Sequence, residues 1–229
     1  MINILTDGKS NTKTAKNSLR TYYLSLQPTN LNSKGENLCK FSTKECRAQC
    51  LQYAGRQGFS NVVKSRERKT ELFVNDKSKF LIDLFDELVK LNKKGRHAVR
   101  LNLLSDVNWE NEFKKIGHSI SELNNTVLYD YTKDPFKIEL NNLPNYNLTF
   151  SFSGGNWKWC EKFLNEKKAN VAVVFENHIP ETYLGFDVID GTINDERFLD
   201  KKGVIVGLKY KKPKGKKIDM TDSKFVVRN

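Results

Sequence analysis

Apolar residues along this chain come in short unalternated runs, separated by stretches with a helical period. Residues 21–26 form an aromatic and apolar run stopped by Gln27-Pro28, which predicts a first strand. Residues 97–104, 126–131, 146–152 and 170–175 predict four more. Val188-Ile189 and residues 203–208 read as shorter sixth and seventh strands. Phe80, Leu81, Leu84, Phe85, Leu88 and Val89 recur at i, i+3 and i+4, so residues 70–94 predict the strongest helix, closed by Lys93-Lys94-Gly95. Further helices are expected over 111–123 and 157–168. Strands that alternate with helices and lack a polar face belong in a parallel sheet covered by helices. The expected fold is a single α/β domain over residues 1–229, a mostly parallel partial (βα) barrel. Residues 1–20 read as a basic N-terminal arm and 209–229 as a basic C-terminal segment.

In that architecture the polar residues Asn102, Ser105, Asp106, Asp130, Ser151, Ser153, Glu176 and Asn177 fall at or just after C-terminal strand ends. Barrel enzymes place their chemistry on that rim. Strand ends also meet solvent and become polar on that account alone. The cysteine stretch after strand one opens onto the same rim. Three of the chain's four cysteines, Cys39, Cys46 and Cys50, are spaced C-x6-C-x3-C. A helix capped by Ser42 or Thr43 and continuing to Gly55 puts Cys46 and Cys50 a turn apart on one face, opposite Cys39. Such thiolates can cradle a soft metal or an iron–sulfur cluster. A disulfide, or inert thiols acting as small core hydrophobes, are the other readings.

Composition narrows the class. With 38% hydrophobic and 11% aromatic residues in 229, a packed core is expected rather than disorder. No apolar run approaches the roughly 18 residues of a membrane span, and the N-terminus lacks the pattern of a signal peptide. Reduced thiols in the cytoplasm are the expectation. The net charge of +12 favours a polyanion such as nucleic acid or a nucleotide. An AT-rich coding sequence would raise lysine without any such partner. Arg66, Arg68 and Lys69 follow the cysteines closely, while Lys211 and Lys212 lie in the basic run 209–217, where Tyr210 could stack on a base. Trp157 and Trp159 could stack similarly or pack in the core. Other templates fail: Gly8-Lys9-Ser10 lacks the first glycine of a phosphate loop. His97, His118 and His178 have no metal spacing, and no G-x-S-x-G elbow exists.

Several of these motifs occur together in one order: the cysteine spacing followed by Leu51, Ala54-Gly55-Arg56, Arg66-x2-Lys69-Thr70, Arg100-Leu-Asn102 with Ser105-Asp106, Tyr129-Asp-Tyr-Thr-Lys133, residues 171–175, and Asp190-Gly191 with Arg197-Phe-Leu-Asp200. In this combination the chain resembles the phage-encoded "gene product eighty-eight" family, which implies a phage, prophage or mobile-element origin but no established activity. More distantly, it is similar to radical S-adenosylmethionine enzymes, whose partial barrel also carries three cysteines after strand one. That family's usual spacing is C-x3-C-x2-C, and its Gly-Gly-Glu follows strand two, whereas Gly154-Gly155 here follows strand four.

Two functional expectations result. The first is an iron–sulfur enzyme acting on a nucleotide or nucleic acid. Cys39, Cys46 and Cys50 would hold a four-iron cluster. Asn102, Ser105, Ser151, Ser153 and Glu176 would face the cofactor, S-adenosylmethionine by the radical-enzyme likeness, and Asp106, Asp130 and Lys133 would handle protons. The second is a nucleic-acid-binding protein whose zinc or cluster is closed by Cys160 or a histidine. A phage protein that binds a host factor is the remaining reading.

Overall fold

The computed structural model describes residues 3–11, 13–213 and 223–229. Its strands join one ten-stranded sheet. β1 (Thr6–Asp7) runs antiparallel to β2 (Thr21–Tyr23). The cysteine segment follows with α1 (Lys44–Ala48), then come α2 (Ser60–Asn75) and α3 (Lys77–Lys93). β3 (His97–Arg100), α4 (Trp109–Lys114), β4 (Thr126–Thr132), α5 (Pro135–Leu140), β5 (Tyr146–Ser151), α6 (Trp157–Asn165) and β6 (Val171–Phe175) alternate. β7 (Thr182–Tyr183), β8 (Phe186–Asp190), β9 (Ile205–Lys209) and β10 (Val226–Val227) complete the order. Across the sheet it reads β1-β2-β3-β4-β5-β6-β9-β8-β7, with β10 also on β6.

From β2 through β9 to β8 every pairing is parallel. Strands β2 to β6 are each added on the same side of the last, so right-handed crossovers place their helices on one face. That face holds the core: Phe73, Leu84, Phe85, Leu88, Trp109, Phe113 and Phe163 pack on Val99, Leu128, Phe150, Val171 and Val173. Each such buried side chain contributes roughly 1.5–3 kcal/mol. The mostly parallel sheet expected from the apolar runs is present, and it is open: among the described residues the ladder ends at β1 and β7, with no pairing between them.

Local departures from the expected elements have local causes. The helix expected over 70–94 is two helices, because Asp76 leaves helical geometry (φ −136, ψ 69) and caps α3 by accepting from the Lys79 amide. The basic segment before it is the body of α2. The expected helix at 111–123 is the short α4 followed by the turn Ile120–Glu122. The described part of the segment 1–20 packs on the fold: Ile4 and Leu5 are buried, and both amides donate to the Glu87 carboxylate. Of the basic run 209–217, positions 214–217 lie outside the described residues. Further on, Val226-Val227 enters the sheet.

β10 occupies a fork. β9 pairs with β6 along its whole length, so β5 and β10 must share the opposite edge. β5 takes Val171 and Ala172, and β10 takes Val174 and Phe175. The tail reaches this fork past Gly154, whose φ is +95 and whose added Cβ would stand 3.0 Å from the Lys224 carbonyl carbon. Gly154→Ala is therefore expected to lower stability by about 1–3 kcal/mol and to speed amide exchange at Val226 and Val227. Gly155→Ala, with nothing within 4 Å of the added Cβ, is the control. Equal stability of the two variants would remove the argument.

Candidate functional site

The turn after β3 is built on one amide. Asn102 Oδ1 accepts from the Ser105 hydroxyl (3.0 Å), the Val107 amide (2.9 Å) and Trp109 Nε1 (3.1 Å). Its Nδ2 donates to the Val107 carbonyl and to Asp130. Asp130 also accepts from the Asn102 amide (2.6 Å) and the Tyr146 hydroxyl (2.8 Å). It is 1% exposed, and burial pushes its pKa up to about 6 against these donors. The sequence made Asn102 and Ser105 cofactor ligands and Asp130 a proton carrier. Here their polar groups are turned on one another beneath the rim, because a buried amide and carboxylate each need several partners.

Asp106 is equally engaged. It accepts from Lys137 Nζ (2.6 Å), Thr132 Oγ1 (2.8 Å) and the Lys133 amide (2.9 Å). Lys137, which the sequence reading missed, is buried and also donates to the Asp106 and Val107 carbonyls. This clamp fixes the start of the β4–α5 turn and so positions Lys133. No carboxylate within ion-pair distance of the Lys133 ammonium stands among the described residues. Burial disfavours its charge, but Cys46, Asp106, Cys39 and Cys50 together hold its pKa above the usual lysine value.

The three clustered cysteines all lie within electrostatic reach of this ammonium. Thr43 caps α1 as expected, accepting from the Cys46 amide (3.2 Å), and its hydroxyl donates to the Ser153 carbonyl beyond β5. The helix ends at Gln49 (φ −104, ψ 19), and the chain continues as the turns Leu51–Tyr53 and Gly55–Gly58. Cys46 and Cys50 therefore do not share a helical face. Cys39 Sγ donates to the Leu104 carbonyl (3.3 Å), after β3. All three are free and half-buried. Burial pushes Cys39 up to about 12 and raises Cys50, while Lys133 pulls both down. Among the described residues no three His, Cys, Asp or Glu side chains stand close enough to hold a metal ion as placed. Cys160 is sealed in the core, packed within α6.

The remaining candidates separate. Ser151 and Ser153 are buried near the cysteine segment, and the carbonyl of Ser151 accepts from Asn156. Glu176 faces Arg228 at 3.6 Å beside β10. Arg66 is 3% exposed and donates to Gln27 and Gln57, at the edge of a cleft of about 690 Å³ walled by Tyr53 and Phe59. Lys69 is 5% exposed, donates to Thr6, and is lowered to about 8 by burial. These two cations are thus interior struts rather than phosphate contacts. Arg68, Lys211 and Lys212 are exposed. Trp157 and Trp159 pack against the core, edge-on to Phe152 and stacked on Phe163 respectively.

The family model described as Gene product 88 matches residues 3–229. The chain belongs to the gene product 88 family. This bears out the phage family read from the motifs. No curated protein and no solved structure matches the chain. Among the described residues of this gene product 88 protein, no helix is long and apolar enough to cross a membrane.

Asp130 carries a pH dependence with a definite sign. Its folded pKa lies above the carboxyl's ordinary 3.8, so the folded state holds the proton more tightly. Its contribution is greatest below about pH 4 and is lost as pH rises to about 6, by up to roughly 3 kcal/mol. Urea midpoints of the parent and Asp130→Asn should therefore diverge in slope between these pH values. Parallel curves would show that Asp130 ionises freely.

Proposed function

We propose that this phage-family protein is an iron–sulfur protein whose centre is held by Cys39, Cys46 and Cys50 at the C-terminal rim of the sheet. The observation that supports the reading is that three half-buried thiols from one loop lie within electrostatic reach of one ammonium, Lys133, with no carboxylate paired to it among the described residues. Thiols raised by burial are poor nucleophiles at neutral pH, which argues against a cysteine acting by itself. A soft metal centre is what would convert them to thiolates, and Lys133 would offset part of the negative charge they then bring.

The donor set fits a three-thiolate centre better than a closed zinc site. Cys160 is enclosed by the core, and His97 lies at the start of β3, the opposite end from the rim. Three protein ligands leave one coordination position open to a substrate or cofactor, the mark of a reactive rather than structural centre. Closing on it requires Cys39 to give up the Leu104 carbonyl, a contact a thiol loses at little cost. The reading does not extend to S-adenosylmethionine, since Asn102 and Ser105 satisfy each other and Glu176 faces Arg228. The charge of +12 favours an anionic substrate of the nucleotide class.

The test is reconstitution with iron and sulfide without oxygen, followed by metal and sulfide analysis and visible absorption. About four of each per chain is the expected result, retained by Cys160→Ser and lost in Cys39→Ser, Cys46→Ser and Cys50→Ser. In Lys133→Met the loading midpoint should move to higher pH by about one unit, because the thiolates lose their cation. Zinc alone would overturn the cluster, and no bound metal would overturn the centre.

A further inference from the structure

Opposite the helices, the inner face of the sheet carries a second group of polar side chains that the thiol centre does not use. Tyr129 and Tyr131 point to this face from β4, and Arg100 lies beside them at the end of β3. The segment 194–200 folds over it, with Phe198 against the Tyr129 ring at 5.6 Å. Asp195 is the hub: it accepts from Lys13 Nζ (2.8 Å), Arg100 Nη1 (3.2 Å) and the Tyr129 hydroxyl (3.1 Å). Arg197, 3% exposed, donates through Nη2 to the Asn194 carbonyl and side chain.

This hub leaves donors over. Among the described residues Arg100 Nε, Arg197 Nε, Arg197 Nη1 and the Tyr131 hydroxyl are buried without a hydrogen-bond partner, four donors against one orphaned acceptor nearby, Asp200 Oδ2. Nη1 lies 3.2 Å from Asp200 Oδ2, close enough for charge attraction but at an angle that makes no hydrogen bond. The Arg100 guanidinium sits 4.5 Å from the centre of the Tyr131 ring, so two of the orphaned groups are neighbours. Native interiors leave few buried donors unpaired, and several together call for an acceptor. Lys13, Arg100 and Arg197 stand with Asp195, Asp200 and Glu196, three cations against three carboxylates, and Glu196 is held by the neutral Ser18 hydroxyl and Leu19 amide rather than by a cation, so the case for an anion rests on the unpaired donors.

We infer that Arg100, Arg197 and Tyr131 form an oxyanion-binding subsite on the inner face of the sheet, which takes the carboxylate or phosphate group of a small ligand. Lys133 stands two residues beyond Tyr131, just past the end of β4, so the subsite lies about 7 Å of chain from the residue at the thiol rim. A ligand anchored by its anion here has its other end directed at the thiol rim. The subsite itself needs no metal, so it stands or falls separately from the thiol centre.

The test uses metal-free protein and two probes, inorganic phosphate and acetate, against chloride at matched ionic strength. A saturable rise in unfolding temperature with either probe is expected, since a ligand bound only to the folded state stabilises it. Phosphate alone points to a phosphoryl ligand and acetate alone to a carboxylate. Tyr131→Phe should unfold no earlier than the parent without anion, because its hydroxyl has no partner to lose. It should bind the anion about tenfold or more weakly. Arg197→Gln should abolish the response if it folds. No saturable response to either probe, or a full response in Tyr131→Phe, overturns the subsite. So does a clear loss of stability in anion-free Tyr131→Phe, which would mean that the hydroxyl is already bonded.

Discussion

A buried primary amide offers two donors and two acceptor positions, and leaving any of them unmet costs on the order of 1–3 kcal/mol. Asn102 meets that demand by drawing the Ser105–Trp109 turn around itself and holding Asp130 on the next strand. Everything at the rim follows from that turn. The Asp106 amide donates to the Leu38 carbonyl, and its carboxylate clamps Lys137 and the β4–α5 turn. Leu104 presents the carbonyl that holds Cys39. The polar residues that look like chemistry in the sequence are mostly the frame that brings thiols and ammonium together.

Two opposed effects set the character of the thiol mouth. Burial raises Cys39 and Cys50, and the Lys133 cation lowers them; burial wins, so the resting thiols are protonated. At Lys133 the balance tips the other way: burial disfavours its charge, but its thiol neighbours and Asp106 raise its pKa above the usual lysine value. The same contest runs through the whole molecule. Much of its basic surplus is exposed lysine, but Arg66, Lys69, Lys137 and Arg197 are buried, each with polar partners inside the fold. A positive net charge is therefore a poor guide to which cations face a ligand.

The legibility of the fold tracked the range of the forces involved. β6 was readable as an unalternated run of five apolar residues, β5 as an alternation of apolar and polar ones, and β4 from Val127, Leu128, Tyr129 and Tyr131 around a single Asp130. The two-residue strands β1, β7 and β10 were not, since two residues carry no period. Asn75-Asp76 inside the expected helix was a readable capping signal that the strong apolar stripe after it outweighed. At the site, the clustered cysteines and Lys133 were visible as spacing and motif. The burial of Arg66 and Lys69 was not, because their partners Gln27 and Thr6 lie 39 and 63 residues away. Asp195 was hidden for the same reason, its partners Lys13 and Arg100 lying 182 and 95 residues away.

The inner-face network has a consequence for how the molecule folds. Lys13 and Asp195 are 182 residues apart, and Ser18 and Glu196 are 178 apart. Contacts of that separation are rewarded only after the intervening chain has been ordered, so they belong to the late stages of folding. The sheet and its helices can assemble from neighbouring units, with the inner face open to water until the N-terminal segment and the 194–200 turn meet across it. Opening would retrace that order. The cover over β3 and β4 is then the part of the molecule that forms last and loosens first, and a small anion would reach the face beneath it by local unfolding.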